Sequence, residues 1–122
     1  KGKQILYPIN KLTRPLKDMV RESIFNIIEH SKNEHVNLKE AKILYDRFCV
    51  HCHGEKGMGD GSVGVVYKGV TAYNSRAVKD KSEGHIFHVI THGKGRMWGH
   101  GSQISIEDRW KIVKYVQTLQ KQ

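Results

Sequence analysis

The sequence predicts an all-α fold, and three observations carry that expectation. Apolar residues return at three- and four-residue steps in four separate stretches, the spacing that lines one face of a helix. Residues suited to capping, Asn37, Ser82 and Ser105, stand ahead of three of those stretches. The glycines gather between them, five of the twelve falling within Gly54–Gly64. A chain of 122 residues has room for one domain and, here, an extension ahead of it.

Taken in order, residues 1–15 hold both prolines, Pro8 and Pro15, show no apolar period and read as an extended segment. From Leu16, the residues Leu16, Met19, Val20, Ile24, Ile27 and Ile28 mark an amphipathic helix. It begins beside Pro15, whose missing N–H is harmless in a first turn. Residues 1–35 are therefore taken as an N-terminal extension, and 36–122 as the domain proper. The next helix is expected from Asn37 or Leu38 to the cysteines, with Leu38, Ala41, Leu44, Tyr45 and Phe48 on one face. Gly54–Gly61 breaks it, and Val63–Arg76 shows no readable pattern. Ser82 caps a short helix with Ile86, Phe87, Val89 and Ile90 as its apolar positions, ended by Gly93. Gly93–Ser102 reads as a second glycine-interrupted loop. Ser105-Ile-Glu-Asp108 resembles a capping box and opens a terminal helix carrying Trp110, Ile112, Val113, Val116 and Leu119.

Cys49-Val-His-Cys-His53 carries the chemistry. A C-x-x-C followed at once by His is the attachment pattern of a c-type haem: the thiols add across the vinyl groups, and the adjacent imidazole becomes an iron ligand. Both cysteines of the chain are spent here. A zinc site would need its other ligands from His51, His53, His85, His88, His92 or His100. A thioredoxin-like dithiol follows a strand and opens a helix, whereas this motif closes a helical stretch.

Iron held by His53 has one further axial position. Met58 stands five residues on, too close in sequence to reach the opposite face without a very tight loop, and Met19 lies in the extension's apolar stripe. Met97 is the favoured ligand, because its separation from His53 allows a helix to pass beneath the haem while a loop closes over it. A thioether there raises the reduction potential relative to harder ligation. His100, His92 and an open site are the alternatives. Trp98 and Trp110 are candidate apolar walls, and Arg96 and Lys94 candidate partners of the propionates.

Twenty-one Lys and Arg against twelve Asp and Glu give a net charge of +9. Such a surface steers an acidic protein partner or an anionic membrane. No nucleic-acid recognition motif accompanies it. Mean hydropathy is −0.57, and no run approaches the roughly 18 apolar residues of a membrane span. Haem c is attached outside the bacterial cytoplasm, so a removed targeting segment and a location in the periplasm or on the outer face of the inner membrane, anchored or free, are expected.

From Val36 to Leu119 the chain resembles class I monohaem cytochromes c. The likeness rests on Ala41 to Phe48 leading into Cys49–His53, on Gly54–Gly61, on Gly93-Lys-Gly-Arg-Met97, and on Glu107–Leu119 with Tyr115. It implies a fold in which the first and last helices cross near Ala41, Tyr45 and Tyr115 around one covalently bound haem c. It also implies that Cys49 and Cys52 hold the haem and that His53 and Met97 ligate iron. The family's usual proline after the motif, whose carbonyl orients the proximal imidazole, has no counterpart; another carbonyl must serve or the ring is held more loosely. Trp98 stands where a proline often follows the methionine. His85–Met97 with Ser102-Gln103 is similar to the monohaem subunit of alternative complex III, a membrane quinol-oxidising assembly. The function implied is single-electron transfer, not catalysis, as a subunit or tethered carrier among redox proteins of a respiratory chain, with no small-molecule substrate at iron. A free periplasmic shuttle, a haem peroxidase or gas-binding protein with an open sixth site, and a zinc-stabilised interaction module are the rivals.

Overall fold

Asn37 starts the first helix of the computed structural model, which describes residues 36–122; the expected helix from Leu16 and the rest of the extension lie outside the described residues. The Asn37 side-chain oxygen accepts the Lys39 backbone N–H at 3.0 Å, so one orphan donor of the first turn is satisfied. Helix α1 runs Leu38–Phe48, and one more turn, α2, covers Val50–His53 before Gly54 stops it. Glu40 does not complete a capping box, because its carboxylate pairs with Lys111 at 2.9 Å.

The stretch without a readable pattern contains a short helix, α3, over Ser62–Tyr67. Gly64 is required there by close approach: a Cβ would run into the Cys52 carbonyl oxygen and come within 2.7 Å of the Gly59 oxygen. The chain then turns through residues 73–80 to Ser82, whose hydroxyl accepts the His85 N–H at 3.3 Å and caps α4, Glu83–His92. The expected loop after Gly93 instead contains a small antiparallel hairpin, β1 Gly93–Lys94 and β2 Met97–Trp98, with Lys94 opposite Met97. Gly95, at φ 59°, supplies the positive φ that the first central residue of a type II′ turn needs. Ser105 accepts the Asp108 N–H at 3.1 Å and caps α5, Ile106–Gln120.

The core is where α1 and α4 meet α5. Ala41 and Tyr45 of α1 and Ile112 and Val113 of α5 are fully buried. The small Ala41 side chain lets the first and last helices approach, and the Tyr45 and Tyr115 rings meet with centroids 5.1 Å apart. On the other side Phe87 of α4 stacks on Trp110 at 4.3 Å, and Arg109 donates from beneath Phe87 to the Thr91 hydroxyl. Gln120 donates to the Val78 carbonyl at 2.7 Å, tying the end of α5 to the turn before α4. Lys111 collects Glu40, Glu107 and Asp108 within 3.3 Å. These carboxylates, Glu40 first, hold its ammonium above the ordinary lysine range. Leu38, expected on the buried stripe, is 49% exposed, because the first turn of α1 projects past the end of the core.

Candidate functional site

The site grows out of the junction of α1 and α2. Cys49 caps the end of α1, with its N–H donating to the Tyr45 carbonyl at 2.8 Å, and Cys52 and His53 occupy the single turn that follows. Both thiols are free. Burial, with smaller contributions from Cys52 and Asp46, pushes the Cys49 thiol up to about 12. That is the reverse of a redox dithiol, whose attacking sulfur is held as thiolate. Tyr45 reaches past the motif and donates to the Gly54 carbonyl at 2.7 Å, fixing the residue after His53 to the core.

His53 is held by a ring the sequence did not announce. Its imidazole stacks on Tyr73 with centroids 4.7 Å apart and planes 22° from parallel. Tyr73 is itself buried and is anchored by its N–H on the Gly57 carbonyl at 2.8 Å. The Nδ1 atom of His53 is buried with no hydrogen-bond partner among the described residues. Among the described residues no carbonyl stands in for the missing family proline, and the ring stacks on Tyr73 instead. Burial first, and the charge of His100 second, lower the His53 imidazole to about 4. It is therefore neutral near pH 7, the form that ligates a metal.

Met97 lies half-buried on β2, and strand alternation turns its neighbour the other way: Trp98 is 86% exposed among the described residues. Arg96 is engaged elsewhere than expected. Its guanidinium donates to the Tyr67 carbonyl at 3.1 Å and lies over the Tyr67 ring, clipping the hairpin to α3. Trp110 belongs to the core with Phe87. Met58 is exposed at 46%. His100, directly after the hairpin, has its Nδ1 buried and unpartnered and is the group whose charge His53 feels. His88 and His92 lie side by side on α4, with centroids 4.7 Å apart. Among the described residues no three His, Cys, Asp or Glu side chains converge as a metal site, so a zinc module has no ligand set there.

Free thiols on adjoining helical turns beside a buried neutral imidazole with an orphaned nitrogen fit a covalently held haem, and the helices around them have the arrangement of a small c-type cytochrome domain. The comparisons agree: the family described as cytochrome c oxidase, cbb3-type, subunit III matches residues 36–116, and the chain belongs to it. Comparison with curated proteins returns no match. The domain is thus an electron-transfer module carrying covalently bound haem c. Among the described residues no helix is long and apolar enough to cross a membrane.

Proposed function

We propose that Cys49 and Cys52 hold one haem c through thioether bonds, with His53 and Met97 as axial ligands, and that the protein passes single electrons by contact at the haem edge. The observation that carries this reading is the buried, neutral His53 beside two free thiols in a chain of the cytochrome c family. The haem supplies a one-electron iron couple. This chain's residues hold its environment: Tyr73 orients the proximal ring, Tyr45 fixes the motif to the core, and the α1, α4 and α5 side chains exclude water. No substrate is assigned to iron, and the chain is not itself an enzyme.

The partners are redox proteins, which we place within a membrane assembly such as an oxidase complex or a quinol-oxidising complex. The setting is the periplasm or the outer face of the inner membrane. The family's description as an oxidase subunit supports the oxidase context. The likeness of residues 85–97 to the alternative complex III subunit supports the quinol-oxidising one. Residues 1–35 are assigned as a docking extension ahead of the haem domain, since the apolar stripe from Leu16 to Ile28 is flanked by Lys1, Lys3, Lys11, Arg14, Lys17 and Arg21.

The test is one-electron reduction and reoxidation of the purified holoprotein, followed in the visible spectrum, with peroxide turnover measured beside it. Reversible cycling of a two-thioether haem is expected. Bound zinc without a haem spectrum, or rapid peroxide turnover, refutes the assignment. Removal of residues 1–35 is expected to keep the spectrum while weakening membrane or complex association, and loss of haem on that deletion refutes the docking role.

A further inference from the structure

Helix α4 carries three of the chain's eight histidines, and the haem assignment uses none of them. At about 3.6 residues per turn, His85, His88 and His92 fall along one side of that helix, while Ile86 and Ile90 on the other side are buried in the core. His88 and His92 are exposed, and neither ring has a hydrogen-bond partner among the described residues. The helix beneath them is held in place: Phe87 stacks on Trp110 at 4.3 Å, Lys114 pairs with Glu83 at 2.7 Å, and Arg109 donates to the Thr91 hydroxyl.

His88 and His92 stand four residues apart, one above the other, with ring centroids 4.7 Å apart and planes 47° from parallel. That separation is what one metal ion requires of two imidazoles. A divalent ion binds an imidazole nitrogen at about 2.0–2.1 Å, and the ring centre lies roughly 1.2 Å behind that nitrogen, so each centroid stands about 3.2 Å from the ion. Centroids 4.7 Å apart then subtend roughly 94° at it. This is close to the right angle between neighbouring ligands of a tetragonal site, whereas a tetrahedral pair would hold the centroids about 5.2 Å apart. Both side chains are exposed, so rotation about their own bonds aims the nitrogens at the common point without moving the helix.

We propose that His88 and His92 form a two-imidazole chelate for a divalent first-row transition ion, copper(II) foremost, on the solvent face of α4. Copper(II) favours tetragonal nitrogen and oxygen ligation and heads the affinity order of these ions. Each imidazole binds in its neutral form, giving the lone pair of one ring nitrogen and displacing one water; water keeps the remaining positions, and nothing is oxidised or reduced. His85, one turn earlier and facing the charges of Lys94 and Lys81, does not join them, since no three His, Cys, Asp or Glu side chains converge among the described residues. The site needs no haem and stands independently of the assignment above.

The experiment titrates copper(II) into untagged ferric holoprotein, followed by calorimetry and electron paramagnetic resonance, for wild type, His88→Ala, His92→Ala, the double variant and His85→Ala. Ferric haem has no electron to pass to copper(II), so the signal reports binding alone. Wild type is expected to take up one equivalent with an axial copper signal split by two nitrogens. Loss of either His88 or His92 is expected to weaken that uptake by about tenfold or more and to remove the two-nitrogen pattern, while His85→Ala binds as wild type does. Unchanged haem absorbance and circular dichroism in the variants show that the fold is kept. Equal copper binding by wild type and the double variant overturns the proposal, as does a loss in His85→Ala as large as that in His88→Ala. A chain isolated without haem leaves the copper titration readable and refutes the haem assignment alone.

Discussion

Tyr45→Phe removes the hydroxyl that holds the Cys49–His53 motif to the core and that also pairs with the buried Tyr73 hydroxyl. The Tyr45 hydroxyl donates to the Gly54 carbonyl at 2.7 Å from a side chain with no solvent exposure. Phenylalanine keeps the ring against Tyr115 at 5.1 Å and Tyr73 at 6.4 Å, so packing is conserved and only the hydroxyl is lost. A neutral hydrogen bond contributes about 1 kcal/mol net, and stranding its buried partner adds about 1–3 kcal/mol. Here the second cost is largely avoided, because the Gly54 oxygen also accepts the Gly57 N–H at 3.2 Å. With the buried Tyr73 hydroxyl also losing its partner, the expected loss is about 1–2 kcal/mol, each kcal/mol lowering Tm by roughly 4–8 °C for a domain of this size. Tyr45→Ala, which empties the space between the Tyr73 and Tyr115 rings, is expected to cost about 3–5 kcal/mol. Denaturant unfolding of the holoproteins, read by far-ultraviolet circular dichroism and by haem absorbance, measures both. A Phe variant as stable as wild type refutes a contribution from the bond. A Phe variant as unstable as Ala refutes the claim that Gly57 keeps the carbonyl satisfied.

Two glycines are expected to respond to alanine with opposite signs. Gly84, in the first turn of α4 with nothing within 4 Å of a built Cβ, gains about 0.5–1 kcal/mol as alanine, whereas Gly64→Ala drives a methyl into the Cys52 carbonyl and destabilises; thermal unfolding of both variants decides the pair. The His85 imidazole is held below the ordinary histidine range by partial desolvation first, then by Lys94, Lys81 and His88. Its titration by nuclear magnetic resonance is expected below pH 6.5, with a slight loss of stability as pH falls through that window, because the unfolded chain takes the proton first; a midpoint at or above 6.5 refutes this.

Much of the frame was legible because it is written locally. Asn37, Ser82 and Ser105 cap the helices they precede, and the stripe from Trp110 to Leu119 is the buried side of α5. The crossing of Tyr45 with Tyr115 followed from the family likeness. What escaped depends on tertiary placement. Tyr73 sits in a stretch without apolar period, and its stacking on His53 is made possible by the backbone bond to Gly57, so nothing near it in sequence marks it. The two-residue strand that turns Trp98 and Met97 to opposite sides is likewise not marked in the sequence. Arg96 looked free for an anion but serves Tyr67, 29 positions earlier. His100 was readable as a histidine near the right loop; its buried, unpartnered nitrogen was not.

The contact between the first and last helices also has a kinetic side. The Glu40–Lys111 ion pair, at the seam beside Ala41, joins residues 71 positions apart. A seam of such high sequence separation closes late, since the chain between must be gathered before any contact across it forms. Until α5 has been synthesised and has docked, the thiols of Cys49 and Cys52 stand at the end of a helix with one flank open. Arrival of the C-terminal helix then closes that flank.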